Sequence, residues 1–141
     1  NAGCNMLIAN GSKLNPIKTI KEKKLFTWFV PKMSNLDARK KWIISSLSST
    51  AKIYIDQGAS KALKSGKSLL PSGIVKVSGI FKKGDNILIV DNNNIDIARA
   101  LSSFTSDEIN KIKGLQSNQI EIILGYASKS EIIHKDDIAI L

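Results

Sequence analysis

From Thr50 onward the sequence predicts a mainly β fold with short helices, arranged as a small, partly open β-barrel. Three observations predict it. Short β-branched runs recur at close spacing, turn residues separate them, and the helix signals between them are brief. A unit of about 90 residues can fold alone, with a modest core.

The elements follow in order. Lys52-Ile53-Tyr54-Ile55 reads as a strand. Asp56 is placed to cap a helix through Lys64, which Gly66 ends. Leu69-Leu70-Pro71 leads through Gly73 to a strand at Ile74-Val75-Lys76-Val77, and Lys82-Lys83-Gly84-Asp85 is a turn. Ile87-Leu88-Ile89-Val90 is apolar throughout, so it is expected to be central. Asp91-Asn92-Asn93-Asn94 suits a hairpin turn, and Ile95 to Leu101 returns as its partner. Thr105-Ser106-Asp107-Glu108 has capping-box spacing for a helix that Gly114 closes. A second helix spans Asn118 to Leu124, ended by Gly125. Glu131-Ile132-Ile133-His134 and Ile138-Ala139-Ile140-Leu141 are the last strand candidates.

The first third differs. Residues 4–9 and Leu25 to Val30 are strand-like, and Lys13 to Lys24 is basic and reads as exposed. Two strands alone are marginal in water, so they read as part of a sheet whose other strands lie outside this sequence, and swapping, pairing between copies or fraying is expected of them. Asp37-Ala38-Arg39-Lys40-Lys41-Trp42 is basic with an aromatic anchor, and Ser45 to Thr50 reads as a linker. The opening Asn1-Ala2-Gly3-Cys4 has no charged leader; it reads as a cut inside a longer chain, or Asn1-Ala2 as a tag remnant.

The net charge is +9. Residues 1–50 carry 9 Lys+Arg against 2 acids, whereas residues 51–141 carry 12 against 10. Charge therefore gives the later region weak support for polyanion binding. No apolar run reaches the roughly 20 residues of a membrane span. A single cysteine, Cys4, allows no internal disulfide and suits a reducing cytoplasm. Its apolar neighbours suggest packing.

Catalytic signals are absent. His134 is the one histidine and reads as a surface or capping residue. Asp136 and Asp137 are adjacent, so in a strand they would face opposite ways. Ser65-Gly66-Lys67-Ser68 resembles the end of a phosphate loop, but the earlier glycine and the leading strand are missing. No catalytic, cofactor or metal residue is expected.

Several stretches together resemble a known family. They are Asp37-Ala38-Arg39-Lys40-Lys41-Trp42-Ile43, Ile55-Asp56-Gln57-Gly58-Ala59, and Leu63-Lys64-Ser65-Gly66-Lys67-Ser68-Leu69-Leu70-Pro71-Ser72-Gly73-Ile74. Val77-Ser78-Gly79-Ile80-Phe81, Ile97-Ala98-Arg99-Ala100-Leu101 and Ile133-His134-Lys135-Asp136-Asp137 support them. The order resembles the C-terminal half of bacterial glutamate 5-kinase, with residues 51–141 similar to its PUA domain. The resemblance implies that residues 1–30 are a remnant of an α/β amino-acid-kinase domain and 31–50 a basic, serine-rich linker. It departs at Phe26-Thr27, where the family usually has Gly-Thr. The family's nucleotide loop and glutamate site have no counterpart here. The resemblance implies a parent enzyme that uses ATP and Mg²⁺ to phosphorylate glutamate in the cytoplasm, as the first step of proline synthesis.

Two functions compete. A regulatory or assembly module would contact its own kinase domain and neighbouring subunits through Trp28, Phe29, Arg39, Lys40, Lys41 and Trp42. The plainer reading of these aromatics is ordinary core. An RNA-binding PUA module would use Lys61, Lys64, Lys67 and Arg99 as a small, weak basic patch. The plainer reading there is a solvated lysine face. An independent enzyme is the least supported.

Overall fold

A computed structural model describes residues 3–12, 14–22, 26–46, 50–126 and 128–141. The chain forms two compact units, Asn1–Arg39 and Lys40–Leu141. Lys13, Lys23, Lys24 and Leu25 of the expected basic and strand segments lie outside the described residues, as do Leu47, Ser48 and Ser49 of the expected linker and Asn1-Ala2.

In the first unit, strand β1 (Met6–Ala9) is followed by helix α1 (Pro16–Lys21) and strand β2 (Phe26–Phe29). Pro16 stands at the start of α1, where a missing N–H costs no hydrogen bond. β1 and β2 pair antiparallel, with Met6 opposite Phe29 and Ala9 opposite Phe26. This is a two-stranded sheet, and Met6, Leu7, Ile8, Trp28 and Phe29 on it are all exposed. Cys4 is exposed too, against the packing expected for it, because the ribbon has no second layer to cover it. Its thiol reaches Asn35 Oδ1 at 3.7 Å.

Helix α2 (Asn35–Ser45) lies within the segment read as a linker. Its start has a capping pair: Asp37 N–H donates to Ser34 Oγ at 3.1 Å, and the Ser34 hydroxyl donates to the Asp37 carboxylate at 2.7 Å.

The second unit is built on one five-stranded mixed sheet. Its strands are β3 (Lys52–Ile55), β4 (Ile74–Ser78), β5 (Asn86–Val90), β6 (Asp96–Leu101) and β7 (Ile138–Ile140), in the order β4-β3-β5-β6-β7. β3 and β5 run parallel and the other pairs antiparallel. β5 is the central strand, as its apolar run predicts. Among the described residues β4 and β7 remain edges, so the barrel is not closed.

Alternation selects the core. Ile53 and Ile55 on β3, and Ile87 and Ile89 on β5, point inward and are at most 1% exposed. Helix α3 (Gln57–Lys64) adds Leu63, helix α4 (Ser106–Ile112) adds Ile109 and Ile112, and helix α5 (Ile120–Leu124) adds Ile120. Phe104 is the largest fully buried side chain. Each such side chain contributes on the order of 1.5–3 kcal/mol through burial.

The caps are where the sequence puts them. Asp56 Oδ1 accepts from Ala59 N–H at 2.7 Å at the start of α3. Thr105 and Glu108 form a reciprocal capping box on α4. Gly66 follows α3 with φ +77, a conformation that L side chains rarely adopt.

One strand expectation fails. Glu131-Ile132-Ile133-His134 makes only an isolated bridge, Leu69 to Ile133. Ile132 and Ile133 are both fully buried, but the segment pairs with Leu69 alone and its chain enters a 3₁₀ turn at Lys135 before a ladder can extend. Asp136 and Asp137 stand in a 3₁₀ turn, Lys135–Asp137, and not in a strand. His134 caps that turn, its Nδ1 accepting from Asp136 N–H at 3.3 Å.

Candidate binding surfaces

Helix α3 separates two clefts. Gly58, Ala59 and Ala62 give it a lining of small residues toward the Lys67–Gly73 segment. There they enclose a cleft of about 580 Å³ with Lys67, Ser68 and Leu70. The approach is close: a Cβ added at Gly73 would stand 2.5 Å from Ala59 Cβ. The cleft is predominantly apolar, with Asp56, Lys67, Ser68 and Ser72 as its polar residues. Asp56 is committed to capping α3, and Ser68 Oγ accepts from Lys135 N–H at 3.0 Å.

The second cleft, of about 380 Å³, is polar. Gln57, Ser60, Lys61 and Lys64 of α3 face Asp91, Asn92 and Asn93 of the β5–β6 turn. The turn is fixed from within: Asp91 Oδ1 accepts from Asn93 N–H at 2.8 Å and Ile95 N–H at 2.9 Å. Lys61 and Lys64 also occupy the last turn of α3, where positive charge complements the helix dipole.

The proposed basic patch is therefore divided. Lys61 and Lys64 share one cleft and Lys67 lines the other. Arg99 is elsewhere. Its Nη1 donates to the carbonyls of Ile44 at 2.8 Å and Ser46 at 3.0 Å, at the end of α2.

The proposed interface residues are on the surface. Trp28 is 60% exposed, Phe29 47% and Trp42 56%, so the ordinary-core reading of these aromatics does not hold within their own units. Arg39, Lys40 and Lys41 are exposed as well. Trp28, Phe29 and Arg39 belong to the first unit; Lys40, Lys41 and Trp42 belong to the second.

One polar cluster escaped the sequence reading. The Tyr126 hydroxyl donates to the Glu108 carboxylate, which also accepts from Thr105 N–H at 2.7 Å. The Lys83 ammonium stands 5.3 Å from the Tyr126 ring centre and 5.6 Å from that of Phe104. Burial alone would raise the Glu108 pKa, but the Tyr126 and Thr105 hydrogen bonds and the Lys83 charge together hold it below the usual value. The Glu108 hydrogen bond, with burial and charge adding to it, raises the Tyr126 pKa. The capping-box spacing marked Glu108, but nothing local pointed to Tyr126, 18 residues away.

Among the described residues, no helix is long and apolar enough to cross a membrane. The family model for the PUA domain matches residues 51–124, more than half of the chain. The chain belongs to the PUA family. The match covers β3 through α5 and includes the residues of both clefts.

Curated glutamate 5-kinases align along nearly all of the chain. The one from Pelagibacter ubique is 61% identical over 137 residues, which is 97% of this chain and 37% of that protein. The one from a Thermoanaerobacter species is 43% identical over 143 residues, 100% of this chain and 38% of that protein. The chain thus spans between 35% and 38% of the length of the curated relatives it matches. Among solved structures, a PUA domain from Aeropyrum pernix is 19% identical over 60% of this chain and 41% of its own, with a TM-score of 0.45.

Proposed function

We propose that the chain is the PUA-bearing portion of a glutamate 5-kinase and acts in regulation and assembly without performing the chemistry. The observation that carries this is the 61% identity over 137 residues to a glutamate 5-kinase of which the chain covers only 37%. The parent would transfer the ATP γ-phosphoryl group to the glutamate side-chain carboxylate. Positioning and charge neutralisation by Mg²⁺ and basic groups dominate such chemistry. Those groups would lie in the parent's remaining length. In this reading residues 1–30 complete the kinase domain, whose strands would cover β1 and β2. Residues 31–50 connect it to the PUA unit at 51–141. Trp28, Phe29, Arg39, Lys40, Lys41 and Trp42 would then meet the kinase domain or a neighbouring subunit, and the enzyme would work in the cytoplasm.

The test compares the full-length kinase with a form ended at Arg39, the last residue of the first unit. We expect the shortened enzyme to keep phosphoryl transfer while its response to proline or its oligomeric state changes. If activity, proline inhibition and assembly are all unaltered, the regulatory reading fails. Phosphorylation of glutamate by these 141 residues alone would overturn the non-catalytic reading.

Weak RNA binding is the second reading, favoured by the two lysines in the polar cleft beside Asn92 and Asn93. Filter binding at low and moderate salt checks it. Few phosphate contacts imply a shallow salt slope, about −0.7 per phosphate neutralised on a single strand. Lys61→Glu with Lys64→Glu should abolish retention; retention unchanged in that variant places any RNA elsewhere.

A further inference from the structure

The last turn of a helix leaves carbonyl groups without intrahelical donors. In α2 those carbonyls are met by side chains from the sheet. Asn86 Nδ2, on β5, donates to Ile43 O at 2.6 Å. Arg99 Nη1, on β6, donates to Ile44 O at 2.8 Å and Ser46 O at 3.0 Å. The partners are 43 to 55 residues apart in sequence, so this is a tertiary cap and not a local turn. Ile43, whose carbonyl Asn86 caps, is 0% exposed. Its neighbour Trp42 is 56% exposed.

We propose that Asn86 and Arg99 are positioning residues that clamp the end of α2, residues 40–46, onto the PUA sheet, so that this end and the sheet unfold as one body. The clamp has three parts. Ile43 supplies a fully buried side chain, Asn86 a neutral hydrogen bond, and Arg99 a charge-assisted pair of bonds at the negative end of the helix dipole. Together they hold Trp42 outward on a fixed support. A contact made by a pre-positioned aromatic loses less conformational freedom on binding than one made by a floppy tether. The PUA module would thus include the end of α2, several residues before the family match begins at residue 51. The consequence for a parent enzyme rests on the reading of α2 as an assembly surface; the clamp does not.

Amide hydrogen exchange on the full chain tests it. In the wild type, the amides of residues 43–46 should exchange as slowly as those of β5 and β6. Exchange at the fast rate of a frayed helix end would refute the clamp without any variant. Arg99→Met keeps the aliphatic stem and removes the donors. It should speed exchange at residues 43–46 by about tenfold or more while β3 and β5 stay protected. Asn86→Ala should do so to a lesser degree, and Arg99→Lys should recover part of the loss. Exchange at residues 43–46 within about twofold of wild type in both Arg99→Met and Asn86→Ala would overturn the proposal. Loss of kinase regulation with an intact clamp, or the reverse, would separate this inference from the functional one.

Discussion

The two units use the same apolar vocabulary with opposite results. β1 and β2 carry Met, Leu, Ile, Trp and Phe, and almost all of it is exposed; among the described residues of the first unit only Ala38 is buried. β3 and β5 carry much the same kinds of residue, and Ile53, Ile55 and Ile89 are 0% exposed. The difference is the number of layers. Among the described residues the two-stranded ribbon keeps its apolar faces exposed, whereas the five-stranded sheet is covered by α3, α4 and the buried Ile132-Ile133 segment.

The sharpest way to break this comparison is to truncate matched side chains. Phe104→Ala should cost the second unit about 3–5 kcal/mol, enough to unfold it or nearly so. Leu7→Ala in the ribbon should cost less than about 1 kcal/mol, since its side chain is already partly in water. Urea denaturation followed by circular dichroism checks both. Equal losses would mean that the ribbon is packed in solution after all.

A smaller effect tests the tight contact at the apolar cleft. Gly73→Ala places a methyl group 2.5 Å from Ala59 Cβ, so α3 or the 71–73 turn must shift. We expect a loss of about 1–3 kcal/mol by the same measurement, and a change in the size of the cleft. An unchanged midpoint would show that α3 yields freely.

Thr105→Ala removes one half of the capping box on α4 and should cost about 1 kcal/mol. Thr105→Ser should recover most of it.

The pH dependence gives the smallest and most specific signal. Glu108 has a folded pKa below its ordinary 4.5, so its stabilisation is present above that value and lost as pH falls through the lowered folded pKa. Tyr126 has a folded pKa above its ordinary 10.0, so its stabilisation is present below that value and lost as pH rises through the raised folded pKa. The stability gap between wild type and Tyr126→Phe should therefore be greatest between the two and narrow at both extremes. Thermal melts across the range would show it. A gap that does not vary with pH would mean that the hydroxyl and carboxylate are not coupled in solution.

Much of the second unit was legible in the sequence because its signals are local. Asp56, Thr105 and Glu108 cap their helices through bonds three residues long, and Asp91 to Asn94 turn the chain by their own side chains. The motif Asp56-Gln57-Gly58-Ala59 and the run Lys67 to Gly73 carried the family resemblance, and both line the apolar cleft. The helix in 35–45 was missed although Ser34 and Asp37 have capping spacing; the serine-rich stretch after it suggested a linker.

By itself the sequence determined the strands of the five-stranded sheet, the caps of α3 and α4 and the family, because period, turn chemistry and motif order act over a few residues. Only the tertiary structure decided the fate of Arg99, which a count of positive charges offers to a polyanion and the fold assigns to the carbonyls of α2. It also decided the pairing of Tyr126 with Glu108 and the irregular course of Ile132-Ile133. Those outcomes depend on which side chains meet across long stretches of chain. A guanidinium takes the nearest unsatisfied acceptors, and only packing brings them near.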